Sequence, residues 1–192
     1  MHRAYRWLGG LGGADQFVEG GFALTRDECL TCSQRIAPRY DADMVEIRTY
    51  RDLDWESAIV LQVLCREAHH DEHGALAFRR AQFKLYREME SKGEGARFGA
   101  FIGGKLVADL GIYVHDRIGR YNNVSTHPAF RRRGIAAKLV YEAGNIARRR
   151  FNLEQCVIVT AADAPNRIYR RLGFKPVDST YSLLRVADSP TV

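Results

Sequence analysis

Residues 120–136 read Arg120-Tyr121-Asn122-Asn123-Val124-Ser125-Thr126-His127-Pro128-Ala129-Phe130-Arg131-Arg132-Arg133-Gly134-Ile135-Ala136. The first seven of them read as a strand, ended by the turn at His127-Pro128. A helix follows from about Ile135 to Arg150, with Ile135, Leu139, Ala143, Ile146 and Ala147 at inward spacing. A helix start offers backbone N–H groups that no carbonyl claims, at the positive end of the helix dipole. An anion binds there readily. Gly134 lets a ligand approach the backbone, because no Cβ stands in the way. Three arginines beside it add charge and hydrogen-bond donors. The pattern predicts a strand, a basic loop shaped for a pyrophosphate, and a helix.

The flanks extend this unit in both directions. Downstream, Cys156 to Ala161 is a continuous apolar strand, as expected when both faces are covered. Asp163 can cap a short helix with Pro165 in its first turn and Gly173 at its end, and Phe174 opens a last strand to about Arg185. Upstream, Arg97 to Ile102 and the alternating Leu106, Ala108, Leu110, Ile112 and Val114 form a hairpin about Gly103-Gly104. His115 to Gly119 is a polar turn. Two helices precede the hairpin. One begins near Trp55 behind the capping candidates Asp52 and Asp54 and ends at His69 to Gly74; the other runs from about Ala75 to Ser91. Met44 to Tyr50 alternates as a half-buried strand. The order is β, α, α, β, β, β, α, β, α, β, an α/β (α+β) mixed sheet, mostly antiparallel at its centre, with a later βαβ unit.

The whole chain has 192 residues and a formal net charge of +6, and 24 of its 29 basic residues are arginine. That length buries a core without disulfides or metals. Hydrophobic residues at 46% and charged residues at 27% exclude disorder as the main state. No apolar run of about 18 residues exists to span a membrane, and the amino terminus lacks the apolar region of a secretory signal. Cys29-Leu30-Thr31-Cys32 is a lone C-x-x-C without the second pair that a zinc site needs. The four cysteines read as reduced structural thiols of a cytoplasmic protein.

The strand, loop and helix resemble the GNAT acetyltransferase superfamily. Its acetyl-CoA loop reads Gln or Arg, two residues, Gly, one residue, then Gly or Ala, and Arg131, Gly134 and Ala136 match it. Val124 to Pro128 is similar to the family's lead-in. Tyr169-Arg170-Arg171-Leu172-Gly173-Phe174 looks like its Tyr-x-x-x-Gly-Phe. The element order agrees from Met44 to about Arg185, so the resemblance implies a GNAT-like fold with a central twisted sheet flanked by helices. It also implies acetyl-CoA as acyl-donor cosubstrate and an amine as acceptor, with direct attack in a ternary complex. Val124, Ser125 and Thr126 would meet the pantetheine arm, and Arg131, Arg132, Arg133, Gly134, Ile135, Ala136 and Ala137 the pyrophosphate. Tyr169 would act as general acid at the thioester sulfur. The family often has a carboxylate on the strand before the loop; Arg120 to Asn123 supply none, which leaves His127, His115, Asp116 or a held water as base. The family's Asn before the tyrosine is Ala162 here, with Asp163 or Asn166 as a replacement contact. The early helices would wall the acceptor site, giving Glu67, Glu72 and His73 as substrate candidates.

His69, His70 and His73 read as a polar helix terminus rather than a metal site, and no metal is expected. Phe17-x-x-x-Gly21-Phe22 echoes Tyr169-x-x-x-Gly173-Phe174. Residues 1–42 are therefore an extension, readable as a remnant helix and strand of a tandem GNAT unit. The strand from Phe22 to Thr31 could add to a sheet edge in its own chain or in a second copy's, as in a homodimer. Residues 43–186 are the acetyltransferase domain and 187–192 a tail. The second reading of function is an acetyl-CoA-binding sensor module of the same fold, with little or no catalysis. Nucleic acid is not an expected partner, because Glu142 and Glu154 break up the basic run at Arg148 to Arg150.

Overall fold

The computed structural model describes residues 3–8, 13–39, 42, 44–66, 72–161 and 163–185. Its elements are β1 (Arg3–Leu8), α1 (Asp15–Glu19), β2 (Ala23–Cys32), β3 (Glu46–Thr49), α2 (Asp54–Leu64), α3 (Glu72–Ser91), β4 (Gly95–Ile102), β5 (Lys105–His115), β6 (Ile118–Thr126), α4 (Ile135–Phe151), β7 (Gln155–Thr160), α5 (Asp163–Arg171) and β8 (Lys175–Arg185). From β3 onward the order is the one expected. The strands form a single sheet, ordered β1-β8-β2-β7-β6-β5-β4-β3. Every pairing is antiparallel except β6 with β7, the two strands that α4 joins.

Apolar side chains close both faces of the sheet. Leu139, Val140, Ala143 and Ala147 of α4 and Tyr169 of α5 pack on Phe98, Leu110, Ile112 and Ile158. Trp55, Ala58 and Ile59 of α2 and Phe83 of α3 pack on Phe101 and Leu106. Burial of this kind stabilises by roughly 25 cal/mol for each Å² removed from water. The hairpin turn at Gly103 and Gly104 has φ of 55° and 80°, a conformation that glycine adopts without strain.

The structure departs from the expectations in three places. β2 does not lie at an edge. It is inserted between β7 and β8, with Cys32 opposite Cys156 and Asp27 opposite Thr180. The edge is taken by β1, a strand the sequence hides because it is short and set among glycines. Asp52 and Asp54 do not cap α2: Leu53 holds that position, and Asp54 instead accepts from the Arg51 amide (2.6 Å) and pairs with Arg48. Finally, Glu72, His73 and Gly74 open α3 rather than end α2. An acidic side chain suits a helix start, and a first-turn N–H such as that of Gly74 needs no helical acceptor.

The echo between the two aromatic motifs is real in local geometry. Gly21 (φ 83°) ends α1, and the Phe22 N–H returns to the Phe17 carbonyl (2.9 Å). Gly173 (φ 93°) ends α5, and the Phe174 N–H returns to the Tyr169 carbonyl (3.1 Å). Both are left-handed helix caps that launch a strand. Each packs its ring pair edge to face, Phe17 on Phe22 and Tyr169 on Phe174.

Candidate active site

The site begins with a bulge. Gly111 of β5 faces Asn122 of β6, but Asp109 faces Ser125, so Asn123 and Val124 share one partner position. Asn123 accommodates the extra residue at φ 50°. On its other side β6 pairs with β7 only from Ile118 to Arg120, opposite Gln155 to Val157. Beyond Arg120 the two parallel strands splay. The His127 N–H donates to the Val107 carbonyl on the β5 side (2.9 Å). Strand alternation then turns the backbone groups of Thr126 and Val124 toward the splay. The Thr126 carbonyl accepts there from Arg131 Nε (3.1 Å) and Cys65 Sγ (3.4 Å).

A cleft of about 1270 Å³ occupies the splay. Val124, Ser125, Thr126, Arg131, Arg132, Gly134, Ile135, Ala136, Ala137 and Tyr169 all line it. Gly134 has φ 76° and no side-chain cap follows it at the start of α4. Lys138 is the first residue whose N–H finds an intrahelical carbonyl, that of Gly134 (3.1 Å). The N–H groups of Ile135, Ala136 and Ala137 are therefore unclaimed by the helix and lie at the cleft. That is an anion cradle, and Arg132 beside it has no acid partner among the described residues. The apolar side chains of Val124, Ile135, Ile168 and Pro165 line the rest, a wall for an alkyl chain.

The other expected residues lie elsewhere. Arg133 does not line the cleft; its guanidinium lies over the Phe130 ring at 5.2 Å. His127 turns its Nδ1 to accept from the Ala129 N–H (3.2 Å), capping the 3₁₀ turn Pro128–Phe130. Asn166 donates to Glu28 of β2 and accepts from Arg170 Nε (2.8 Å), so it secures the inserted strand. Glu72 is mostly exposed and pairs with Arg66 (2.9 Å). His73 is exposed in the first turn of α3. His115 and Asp116 form an exposed pair at the far turn. Glu67 lies outside the described residues, as do His69 and His70. Among the described residues no three His, Cys, Asp or Glu side chains gather as metal ligands.

Sequence reasoning missed two parts of the wall. Ile36, Ala37, Pro38 and Arg39 line the cleft from the segment after β2. That segment is strapped down by the Ile36 N–H on the Leu172 carbonyl (3.0 Å) and by Arg35 on Asn145 Oδ1 (3.0 and 3.1 Å). Nothing local in the sequence marks it, because its place depends on where β2 inserts. Cys65, just past α2, also lines the cleft. Burial raises its thiol, with a hydrogen bond from Arg131 pulling the other way, so at neutral pH it is not a thiolate.

Two buried groups frame the chemistry. Tyr169 is 6% exposed, and burial alone pushes its phenol up to about 12. Behind the bulge, Arg97 and Asp109 form a fully buried ion pair. Asp109 also accepts from Tyr50 Oη (2.9 Å) and Gln62 Nε2 (2.6 Å). Arg97 stands over the rings of Phe83, Tyr86 and Tyr50. Burial opposes the guanidinium charge, and Asp109 together with Tyr50 and Tyr113 more than offsets that. Asp109 is thus consumed by its partners and does not face the cleft.

Residues 94–176 match the family model described as an acetyltransferase (GNAT) domain. No curated protein matches the chain. Among solved structures, a GCN5-related N-acetyltransferase from Kribbella flavida superposes with a TM-score of 0.68 at 18% identity, over 96% of this chain and 68% of that one. PaiA N-acetyltransferase from Thermoplasma acidophilum, solved in complex with coenzyme A, gives 0.60 at 18% identity, over 72% of this chain and 97% of that one. A tandem GNAT protein from the clavulanic acid biosynthesis pathway gives 0.66 at 13% identity, over 96% of this chain and 63% of that one. At such identities the likeness establishes the fold alone. The chain has the GNAT fold, and its residues 94–176 match the model of a GNAT acetyltransferase domain.

Proposed function

We propose that the protein transfers an acetyl group from acetyl-CoA to a primary amine by direct attack in a ternary complex. One observation carries the reading: the unclaimed N–H groups of Ile135 to Ala137 open onto the cleft that also exposes the free edge of β6. The diphosphate sits at the start of α4, and the pantetheine arm lies along Val124 to Thr126 as an added strand. For that, the Arg131 guanidinium leaves the Thr126 carbonyl, which then accepts from the arm. Arg133 and Asn166 have no cofactor contact in this reading.

The amine nitrogen attacks the acetyl carbonyl, the C–S bond breaks, and the ammonium proton passes to water. In this reading Tyr169, which lines the cleft, stands at the sulfur. With a phenol near 12 it stays protonated and donates a hydrogen bond to the departing thiolate. Full transfer of its proton is uphill, since an ordinary thiol has a pKa of about 8.5. Burial thus makes Tyr169 a hydrogen-bond donor more than a proton donor. With the thiol of Cys65 protonated, the acetyl group passes straight to the amine. The inserted β2 and its strap are the part of the tandem reading that bears on the cleft: residues 1–42 complete the sheet of the domain that follows.

A second reading is favoured by one fact: among the described residues that line the cleft there is no Asp, Glu or His to act as base. In that reading the protein is an acetyl-CoA sensor of the same fold. Release of free thiol from acetyl-CoA, followed across a panel of amines, separates them. Turnover on any amine supports the transferase. Saturable acetyl-CoA binding without turnover on the whole panel supports the sensor.

A further inference from the structure

Most arginines on the face formed by α2 and α3 have a carboxylate. Arg48 pairs with Asp54, Arg66 with Glu72, Arg80 with Glu56, Arg87 with Asp52 and Arg97 with Asp109. Arg79 of α3 is the exception among them. It is half-buried, and it has no acid partner among the described residues. Its Nη1 donates to Gln82 Oε1 (2.7 Å). The same Gln82 oxygen accepts from Asn123 Nδ2 (3.0 Å), and Asn123 also donates to Tyr86 Oη (3.2 Å). Asn123 is the bulge residue directly before Val124, which lines the cleft. Arg79 is therefore tied, through one glutamine, to the wall where the thioester would lie.

Gln82 occupies only Nη1. The Nε–Nη2 edge of Arg79 has no partner among the described residues. That edge is the fork that grips a planar carboxylate with two parallel hydrogen bonds. Partial burial works against the Arg79 charge and holds its pKa below the usual arginine value. The acid that could relieve it, Asp109, is already shared among Arg97, Tyr50 and Gln62. A half-buried cation with no acid among the described residues, its fork free and tied through Gln82 and Asn123 to the cleft wall, is complementary to an anion from outside.

Building on the acetyltransferase reading, we infer that the acceptor is an amine that also carries a carboxylate, an amino-acid-type molecule whose acid group binds the free edge of Arg79. Arg79 is then a specificity-determining residue. The same charge repels polyamines and other cations. It also favours the neutral amine over the ammonium, which helps a cleft lined by no Asp, Glu or His among the described residues. An amine of pKa about 10.4 has only about one molecule in 10³ unprotonated at pH 7, and each unit of depression gives tenfold more.

The test measures kcat/KM by thiol release at saturating acetyl-CoA, for the common L-amino acids, their amides, their decarboxylated amines and two polyamines. The amino acids are expected to exceed their amides and amines by about 10- to 100-fold, the worth of a charged hydrogen-bonded pair. Arg79→Gln should erase that preference, and Arg79→Lys should keep part of it, with acetyl-CoA affinity unchanged in both as the check on folding. Equal or better turnover of amides or polyamines by the unaltered protein overturns the inference, as does a preference that survives in Arg79→Gln. A second measurement is independent of turnover. N-acetyl amino acids are titrated calorimetrically onto the CoA-loaded protein, beside their methylamides. Binding of the acids alone, lost in Arg79→Gln, upholds the acid site even if no amine is acetylated, in which case only the transferase reading falls. Turnover without any preference for the acids, in rate or in binding, sinks the inference and leaves that reading standing. Acids that neither bind nor turn over sink the inference too.

Discussion

Tyr169 shows how a side chain named by a motif acquires its chemistry from its surroundings. The sequence offers a tyrosine of ordinary acidity; burial against Phe174 raises it to about 12. A phenol raised in this way keeps its proton through neutral pH and loses it only in strong base. The pH–rate profile of the proposed acetyl transfer should therefore show no fall attributable to Tyr169 up to about pH 11. Tyr169→Phe should lower kcat by about 10- to 100-fold and leave the acetyl-CoA dissociation constant within about twofold. A falling limb near pH 10 that vanishes in Tyr169→Phe would place the phenol in water instead. An unchanged kcat would remove it from the reaction. The basic loop divides in the same way. Three adjacent arginines look equivalent in the sequence, yet Arg131 lines the cleft while holding a carbonyl, Arg132 lines it with no acid partner among the described residues, and Arg133 lies over the Phe130 ring. A charge run gives the sign of a site; only the backbone turn, with Arg132 at φ 62° and Gly134 at φ 76°, decides which member faces the ligand.

At the scale of elements, the strands and helices from β3 to β8 were readable because each carries its own periodicity. α4 is the clearest case, with its buried Ile135, Leu139, Ala143 and Ala147 at the expected spacing. The bulge at Asn123 was not readable, since it follows from the register of a partner strand. Helix ends failed where side chains had rival partners, as with Asp54, taken by Arg48. The strap between α4 and α5 failed for a larger reason: its partners are more than a hundred residues away. Gly144 of α4 is its keystone. A Cβ there would stand 2.1 Å from the Tyr121 hydroxyl and 3.0 Å from Arg35 Nε. That hydroxyl donates to the Val140 carbonyl (2.8 Å) inside the core. Gly144→Ala should cost about 1–3 kcal/mol through overpacking, despite the better helix propensity of alanine. For a chain of this size each kcal/mol lowers Tm by about 2–4 °C. A variant as stable as the parent would mean that Tyr121 and Arg35 have room to move.

For the whole molecule, the insertion of β2 is the feature with the widest consequence. An extension appended to a finished domain can be removed. A strand hydrogen-bonded on both sides within the sheet, with Leu30 and Cys32 in the core, cannot. Deleting residues 1–39 separates β7 from β8 and removes one wall of the cleft. A fold with a margin of about 5–15 kcal/mol does not survive the loss of an interior ten-residue strand. The truncated chain should show no cooperative thermal transition; a cooperative transition near that of the full chain would show that the extension is dispensable. Motifs disclosed the fold family and the anion loop, because both are local. They left the proposed acceptor side dark, because Arg79, Gln82 and Asn123 meet only in three dimensions. The proposed function requires the splay between β6 and β7 to be an acetyl-CoA site. Isothermal titration of acetyl-CoA into the full chain tests it most directly. Saturable one-to-one binding is expected, weakened at least about tenfold by Arg132→Glu and little changed by Arg133→Glu. No saturable binding to the folded protein, or equal loss in the two variants, would contradict it.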